Sequence, residues 1–258
     1  IPVANTTYKI WSYEDNDYVT MMTYPQGEIS EFKTSENGEF TTPEPLPIGK
    51  YKLVEMTPPN GYHLNDLEFE LEDAVFENDE EEPVVTQLQY DDPQKAKIRI
   101  TKMAEVVTGV SQSTDPTTGL EIFTPVYEER GLKGVTYRVT AKENITTADG
   151  TIRMYKDQYV DITTDENGVA STDYLYLGEY TVKEISVPTG YKLSDNVEDV
   201  TLDYRTNGTD SEGKLIVLDD YTVDLNYKNE RVPYELTFNK TFGKSEFSNI
   251  GDDTKSRV

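Results

Sequence analysis

The stretch GEYTVKEISVPTGY, at residues 178–191, decides how this sequence folds. Its side chains mainly alternate between apolar and polar, which predicts a β-strand, and the Pro and Gly that follow are typical of a turn. Glu184 departs from this pattern, because alternation places it on the same face as Tyr180 and Val182. A charged group on an apolar face is costly unless it has a partner. The rest of the sequence must therefore supply that partner.

The same pattern occurs earlier in the chain, as GKYKLVEMTPPNGY at residues 49–62. The two stretches are offset by 129 residues, so that Glu55 corresponds to Glu184. Two pairs of upstream segments also correspond: SENGEF (35–40) with DENGVA (165–170), and ANTTYKIW (4–11) with GVTYRVTA (134–141). The Asn-Gly in the first of these pairs favours a tight turn before the repeated strand. The chain therefore contains two copies of one unit.

A predicted strand with a central lysine follows each unit. The first is IRITKM (98–103), with Lys102, and the second is LTFNKTF (236–242), with Lys240. If this strand opens a unit, the chain divides into a first domain at 1–95 that lacks its opening lysine strand, a complete second domain at 96–232 with an insertion at about 104–130, and the opening strand of a third domain at 233–258. The insertion is rich in Ser, Thr, Gly and Asp, which predicts an exposed loop or an extra hairpin. This division indicates a piece of a longer protein.

Each unit also ends in a predicted closing strand. VVTQLQYDD (84–92) and YTVDLNYKN (221–229) both alternate between apolar and polar side chains. Aligning the leucines and tyrosines of these two segments places Asp92 opposite Asn229, with Asp91 as the alternative register.

The composition favours an all-β protein. The 258 residues include 19 Tyr, 13 Pro and 16 Gly, and no window shows a sustained apolar pattern of helical period. Short strands with turn residues between them favour antiparallel β-sandwich domains. The net charge of −25 disfavours binding to nucleic acid or insertion into anionic membranes. Because the chain has no Cys, it either works in a reducing compartment or uses a crosslink other than a disulfide.

Three polar side chains of the second unit are predicted to meet in its interior. Alternation places Lys102, Glu184 and Asn229 on the apolar faces of their strands. One interpretation is a buried Lys–Glu ion pair with the Asn as its hydrogen-bonding partner. The other is a self-catalysed isopeptide bond: apolar surroundings keep the amine and the acid uncharged, the amine attacks the carboxamide, and ammonia leaves. The spacing alone leaves both interpretations open.

A lysine strand, then Gly-x-Tyr-x-x-x-Glu-x-x-x-Pro-x-Gly-Tyr, then a closing strand that ends in Asn or Asp, resembles the collagen-adhesin B-type domain. These domains, also called SpaA-type pilin domains, belong to surface proteins of Gram-positive bacteria. The resemblance covers the second unit from end to end and most of the first. It implies tandem Ig-like, Greek-key β-sandwich domains, and a Lys102–Asn229 isopeptide bond formed with Glu184 as the catalytic acid.

In the first unit the resemblance implies only part of such a site. Glu55 would be the catalytic acid and Asp92 the acceptor, and the lysine strand that should precede them is not in this sequence. Lys9 is a poor substitute, because alternation turns it away from the apolar face of its strand. Lys240 would be the donor of a third domain.

The resemblance also implies a role. It favours a structural stalk or spacer module of an adhesin or pilin, extracellular and anchored to the cell wall through regions outside this sequence, with neighbouring repeats of the same surface protein as partners. It implies no cofactor, no metal and no enzymatic activity beyond single-turnover crosslinking. The alternative is an adhesive module that binds a host matrix protein or glycan through the insertion. Whether Ile122, Phe123 and Tyr127 pack onto the sandwich or remain exposed distinguishes the two.

Overall fold

A computed structural model describes residues 2–72 and 85–232 of the chain. All regular elements there are β-strands, which confirms the all-β prediction, and no helix there has the length and apolarity needed to cross a membrane. The strands of the first unit are β1 (Thr7–Ser12), β2 (Asp17–Tyr18), β3 (Met21–Thr23), β4 (Gly27–Ile29), β5 (Phe32–Lys33), β6 (Gly49–Thr57) and β7 (Leu67–Leu71). Its main sheet has the order β2-β1-β6-β7, with β5 also paired to β1, while β3 and β4 form a hairpin.

The second unit is a sandwich of two sheets. Its strands are β8 (Lys95–Thr114), β9 (Glu121–Gly131), β10 (Thr136–Ala141), β11 (Ile145–Thr146), β12 (Ile152–Met154), β13 (Tyr159–Thr163), β14 (Val169–Ser171), β15 (Leu175–Tyr176), β16 (Gly178–Ser186), β17 (Val197–Leu202), β18 (Thr206–Thr209), β19 (Leu215–Val217) and β20 (Tyr221–Asn229). One sheet has the order β13-β10-β16-β17, and the other is built on β8, which pairs with β9, β14, β15 and β20. Buried apolar side chains from both sheets form one core. The predicted class of tandem β-sandwich units is confirmed.

The repeat in the sequence is also a repeat of strand register. Tyr8 on β1 pairs with Glu55 on β6, and Tyr137 on β10 pairs with Glu184 on β16. A register shift lies immediately before the tyrosine in both units. Because such a bulge re-aims the side chains of a strand, the same irregularity sets a tyrosine directly opposite each glutamate.

The tyrosine of Gly-x-Tyr fixes the start of the glutamate strand. The hydroxyl of Tyr180 donates a hydrogen bond to the carbonyl of Tyr176 at 2.7 Å, and that of Tyr51 donates to the carbonyl of Pro47 at 2.8 Å. A tyrosine hydroxyl bonded to the backbone a few residues upstream ties down the corner at which the chain enters a sandwich strand. This explains why both copies of the motif carry a tyrosine at this position.

The Pro-x-Gly-Tyr part of the motif turns the chain toward the closing strand. The N–H of Tyr191 bonds to the carbonyl of Pro188, which closes a four-residue turn, and Gly190 has a φ of 97°. A positive φ at the third position is the requirement of a type II turn, so glycine is favoured there. Tyr191 then forms a β-bridge with Arg231, two residues after β20. The first unit repeats this turn at residues 59–62.

The first and last strands of the second unit, β8 and β20, lie side by side and run parallel. Every other strand pair in the described residues is antiparallel, so the expectation of an antiparallel sandwich is corrected at this one pair. Parallel neighbours require a long crossover connection, and here the whole unit forms it. The register places Tyr227 opposite Lys102 and Asn229 opposite Ala104.

The insertion forms a long hairpin that extends from the sandwich. The outer part of β8 pairs with β9 from Met103↔Gly131 to Thr114↔Glu121. Most side chains of this hairpin are exposed to solvent, including those that distinguish between the two roles: Ile122, Phe123 and Tyr127 are 44%, 61% and 37% exposed. Of the two forms that the composition predicts, an exposed loop or an extra hairpin, the structure shows the hairpin. Ile122 and Phe123 remain exposed, whereas the ring of Tyr127 contacts the guanidinium group of Arg231, whose Cζ lies 3.6 Å from the ring centroid.

The closing strand predicted at residues 84–92 is wrong for the part that the structure describes, 85–92, which forms no strand. Leu88 and Tyr90 in this segment are 72% and 79% exposed. In the second unit the corresponding strand, β20, is held by β8. No described strand of the first unit occupies the place of β8, so residues 85–92 have no neighbouring strand to pair with among the described residues.

Candidate functional site

Lys102 points into the core of the second unit from β8. Alternate residues of this strand are buried from Ala96 to Ala104, and Lys102 belongs to that row with only 1% of its surface exposed. Its side-chain nitrogen Nζ lies 2.9 Å from Oε1 of Glu184. A buried amine needs such a partner, because an unpaired charge in an apolar core is strongly destabilising.

Glu184 lies between the amine and the carboxamide. Its Oε2 accepts a hydrogen bond from the backbone N–H of Ser194 at 2.7 Å, and its Oε1 accepts one from the hydroxyl of Tyr137 at 3.2 Å. Nδ2 of Asn229 donates to the same carboxyl group, at 3.1 Å from Oε1 and 3.2 Å from Oε2. One carboxyl group therefore contacts both Lys102 and Asn229.

Asn229 is the last residue of β20 and is 4% exposed. It pairs with Ala104, two positions beyond Lys102 on the neighbouring strand. Because side chains two positions apart share one face of a strand, Asn229 and Lys102 both face the sheet that carries Glu184. The structure thus brings together the three side chains that the sequence indicated.

Two tyrosines enclose the lysine nitrogen. The rings of Tyr137 and Tyr227 stack with a centroid distance of 5.3 Å and an interplanar angle of 19°, and Lys102 Nζ lies 5.6 and 5.5 Å from their centroids. Burial raises the pKa of both tyrosines, aided by Glu184 at Tyr137 and by Glu198 at Tyr227. Both hydroxyls therefore stay protonated. The Lys102 nitrogen lies beside two neutral aromatic rings and is shielded from solvent.

The sequence patterns did not identify Tyr137 and Tyr227 as part of this site. Tyr137 carries a usable signal, since it lies 129 residues after Tyr8 within two segments that already correspond. For Tyr227, alternation predicts only that it shares a face with Asn229, two residues later. Its place opposite Lys102 follows from the parallel pairing of β20 with β8, which alternation within a single strand does not reveal.

The first unit contains a related pair of carboxyl groups, one fully buried and the other partly buried. Glu55 is fully buried, and its Oε2 accepts a hydrogen bond from the backbone N–H of Asn65 at 2.7 Å, as Glu184 does from Ser194. Burial raises the pKa of Glu55 to about 8, with Asn65 opposing the rise and the charge of Asp91 adding to it. Burial, offset in part by Glu55, raises the pKa of Asp91 to about 6. Among the described residues, no hydrogen-bond partner reaches Glu55 Oε1 or Asp91 Oδ1.

Asp91, and not Asp92, is the structural counterpart of Asn229. In the second unit the N–H of Lys192 bonds to the carbonyl of Glu230, the residue after Asn229. In the first unit the N–H of the corresponding histidine bonds to the carbonyl of Asp92. Asp92 is accordingly exposed, whereas Asp91 is partly buried. Aligning the leucines and tyrosines gave a register that is wrong by one residue, because backbone pairing to the Pro-x-Gly-Tyr turn determines which residue corresponds to Asn229.

Neither of the other two candidate lysines, Lys9 and Lys240, completes the site of the first unit within the described residues. Lys9 lies on β1 between the buried Tyr8 and Ile10 and points away from their face, so that its Nζ reaches the carbonyl of Glu212 at 3.2 Å. Lys240 lies outside the described residues.

A family model described as "SpaA: Prealbumin-like fold domain" matches residues 1–86 and 124–215. These two segments cover more than half of the chain, and they fall one in each sequence unit. Among curated proteins, none matches this chain in sequence.

Several solved structures are similar to the chain. The TIE protein of Bacillus anthracis has 18% identity and a TM-score of 0.45 over 90% of this chain, which spans only 32% of that protein. The minor pilin GBS52 of Streptococcus agalactiae has 17% identity and a TM-score of 0.32, covering 93% of this chain and 88% of the pilin. A C-terminal fragment of the pilus adhesin SpaC from Lactobacillus rhamnosus GG has 15% identity and a TM-score of 0.40, and the match covers 90% of this chain and 91% of that fragment. Since these TM-scores are all below 0.5, the family assignment rests on the family model.

The acidic pair predicts how the stability of the first unit depends on pH. Folded Glu55, with a pKa of about 8 against an ordinary value of 4.5, holds a proton that the unfolded chain releases between these pH values. The free energy of unfolding therefore falls as the pH rises through that window. Glu55→Gln cannot titrate, so between pH 5 and pH 9 it should lose roughly 1–4 kcal/mol less stability than the wild type.

Urea unfolding followed by the fluorescence of Trp11 measures this effect. Trp11 is the single tryptophan of the chain and lies on β1, so its signal reports on the first unit. Glu36→Gln, at an exposed position of the same unit, is the control and should follow the wild type. The same pH dependence in the wild type and in Glu55→Gln would contradict the prediction.

Proposed function

Because this chain belongs to the family of SpaA prealbumin-like fold domains, we propose that it is a structural stalk module of a Gram-positive cell-surface pilin or adhesin, whose second unit closes with an isopeptide bond between Lys102 and Asn229. One observation carries the proposal: Glu184 contacts both Lys102 Nζ and Asn229 Nδ2, at 2.9 and 3.1 Å, in a core where none of the three is more than 4% exposed. The buried ion pair is the competing interpretation.

The contact between Lys102 and Glu184 supplies the proton transfer that the reaction needs. An ammonium group has no free electron pair, so the amine must lose a proton before it can attack. Transfer of that proton across the 2.9 Å contact turns the ion pair into a neutral amine and a neutral acid without any exchange with solvent. A water-poor interior favours the neutral pair far more than bulk water does.

The bond-forming step then balances within the cluster. The Lys102 nitrogen attacks Cγ of Asn229, and the protonated Glu184, which contacts Nδ2 of Asn229 in the structure, supplies the proton that this nitrogen needs in order to leave. The Cγ–Nδ2 bond breaks, Glu184 carries a proton from the attacking nitrogen to the departing one, and ammonia leaves. Glu184 is the protonated acid both before and after this bond-forming step, so it is required for the reaction but is not consumed.

The positions of the strands support a mechanical role for this bond. β8 opens the unit and β20 closes it, and the two are parallel neighbours. With Lys102 joined to Asn229, tension along the chain passes from β8 through the bond and out past β20, so residues 103–228 carry no load. The closed loop would also lower the entropy of the unfolded chain, by roughly 5 kcal/mol if it behaves like a disulfide loop of this length.

In the first unit we propose an incomplete site of the same kind, with Glu55 as the acid and Asp91 as the acceptor. Support comes from the repeated Tyr–Glu register and from the two carboxyl oxygens that lack partners among the described residues. The donor amine would come from a lysine outside the described residues, and an aspartate acceptor would release water instead of ammonia. By the same reasoning Lys240 would be the donor of a third unit, so the partners of these modules are neighbouring repeats of one extracellular protein.

Single-molecule force spectroscopy tests the stalk function. When the chain is pulled from its two ends, residues 103–228 of the wild type should add nothing to the measured extension, because the bond carries the force and these residues do not. Glu184→Gln leaves the carboxamide unattacked, so its second unit should lengthen by about 450 Å on unfolding, at 3.6 Å per residue. Glu179→Gln, an exposed position on the same strand, should behave as the wild type. Release of the full length by the wild type would contradict the proposal.

The exposed hairpin formed by β8 and β9 supports a second candidate function, adhesion. Cross-strand pairing places Val110 with Pro125 and Gln112 with Phe123 on one face of this ribbon, and Tyr127 lies on the same face because side chains two positions apart share a face. Val110 and Phe123 are each 61% exposed. An exposed row of apolar and aromatic side chains is typical of a binding surface, so the hairpin could recognise a host matrix protein or glycan.

Binding to immobilised matrix proteins and to glycan arrays distinguishes the two functions. If the hairpin is adhesive, the wild type binds, and Val110→Ser with Phe123→Ser loses at least tenfold in affinity, because it removes the apolar side chains of one face. Ile122→Ser changes the opposite face and should retain binding. If the wild type does not bind, the result contradicts the adhesive function and supports the stalk function.

A further inference from the structure

The hairpin formed by β18 and β19 reaches from the second unit onto the first. Tyr18 donates a hydrogen bond from its hydroxyl to Oε2 of Glu212 at 2.6 Å, and Lys9 Nζ donates to the carbonyl of Glu212 at 3.2 Å. Lys214, on the other side of the same turn, contacts both carboxylate oxygens of Asp66, at 2.7 and 2.8 Å. The tip of this hairpin therefore contacts three groups of the first unit. Its carboxylate accepts from a hydroxyl, its backbone carbonyl accepts from an amine, and its own lysine donates to a carboxylate.

Gln94 binds the base of the same hairpin. It is 0% exposed, and its side-chain nitrogen donates to the carbonyls of Arg205 and Leu218 at 3.0 and 2.6 Å, while its oxygen accepts the N–H of Arg205 at 2.7 Å. Its own N–H bonds to the carbonyl of Gly61 in the first unit. A buried amide with its polar atoms satisfied from both sides fixes the geometry of a contact, since any shift leaves those atoms unpaired.

Two further contacts hold the Pro-x-Gly-Tyr turn of the first unit against the second. Tyr204 donates a hydrogen bond from its hydroxyl to the carbonyl of Tyr62 at 2.7 Å. Oδ1 of Asp220 lies 3.0 Å from Nε2 of His63 and also accepts the N–H of Lys95 at 2.7 Å. The contacts therefore lie on both sides of the point at which the chain passes from one unit to the next.

Lys214 also connects the hairpin to the acidic pair of the first unit. Asp66, its partner, accepts the backbone N–H of Glu55 at 3.0 Å. Burial would raise the pKa of Asp66, but hydrogen bonds from Lys214 and Lys52 outweigh burial and lower it, so Asp66 is a charged acceptor at neutral pH. A lysine of the second unit thereby steadies the backbone at the buried glutamate of the first.

We propose that the β18–β19 hairpin is a docking element that binds the preceding unit of the same family and holds the two units as one rigid body. Tandem domains joined by a short linker move relative to each other unless a specific interface prevents it. Here the interface is built from buried or charge-assisted hydrogen bonds, which are strong and directional. The partner it fits is a unit that presents an acidic side chain at the position of Asp66 and a hydroxyl at that of Tyr18.

Distances between two spin labels test this proposal, and the absence of native Cys makes the labelling specific. Lys33→Cys on β5 and Thr201→Cys on β17 place one label on an exposed position of each unit. The wild-type interface should give a single narrow distance distribution. Lys214→Met combined with Glu212→Ala should broaden it by about twofold or more, because the tip of the hairpin then loses its side-chain contacts. Adding Gln94→Ala should broaden it further.

Lys142→Met is the matched control, since Lys142 forms its ion pairs with Glu179 and Asp199 inside the second unit. It should leave the distribution narrow. Circular dichroism and the midpoint of thermal unfolding verify that each variant is folded. A broad distribution in the wild type, or a narrow one in all the hairpin variants, would overturn the proposal. None of these substitutions touches Lys102, Glu184 or Asn229, so the result is independent of the crosslink.

Discussion

The second unit depends on the carboxyl group of Glu184, because it satisfies two polar side chains that an apolar core could not otherwise hold. Lys102 and Asn229 arrive from the first and last strands of the unit, and Glu184 arrives from the opposite sheet. Each of the three would be destabilising alone. Together they join the two sheets at the place where the chain enters and leaves the sandwich, and this makes a covalent bond there useful under tension.

The backbone around that carboxyl group is similar in both units, but the segment that closes the unit is paired in the second unit and not in the first. Both glutamates have a tyrosine opposite them and an N–H bond from the residue ten positions later. The difference is the neighbouring strand: β20 is held by β8, whereas residues 85–92 have no partner strand among the described residues. Their side chains are mostly exposed, and no lysine of the residues that the structure describes forms an ion pair with Glu55 or Asp91. The strand that carries the lysine therefore also holds the closing strand of its unit in place.

Much of this could be predicted from the sequence, because the repeat and the alternation of side chains are local patterns. They gave the all-β fold, the extra hairpin and the three residues that meet in the second unit. Contacts between distant strands are not local. The parallel pairing of β8 with β20 placed Tyr227 opposite Lys102, and the hydrogen bond from the Pro-x-Gly-Tyr turn showed that Asp91, not Asp92, corresponds to Asn229. The docking of β18–β19 on the first unit has no counterpart in the pattern of either strand.

The most direct measurement of the central claim is the mass of the purified chain, intact and after proteolysis. If Lys102 and Asn229 react as proposed, the chain is lighter than its sequence by one ammonia, and digestion yields one branched peptide that joins these two residues. Glu184→Gln should have its full sequence mass and yield the two peptides separately. A wild-type chain with its full mass and separate peptides would contradict the account, and would leave Lys102 and Glu184 as a buried ion pair.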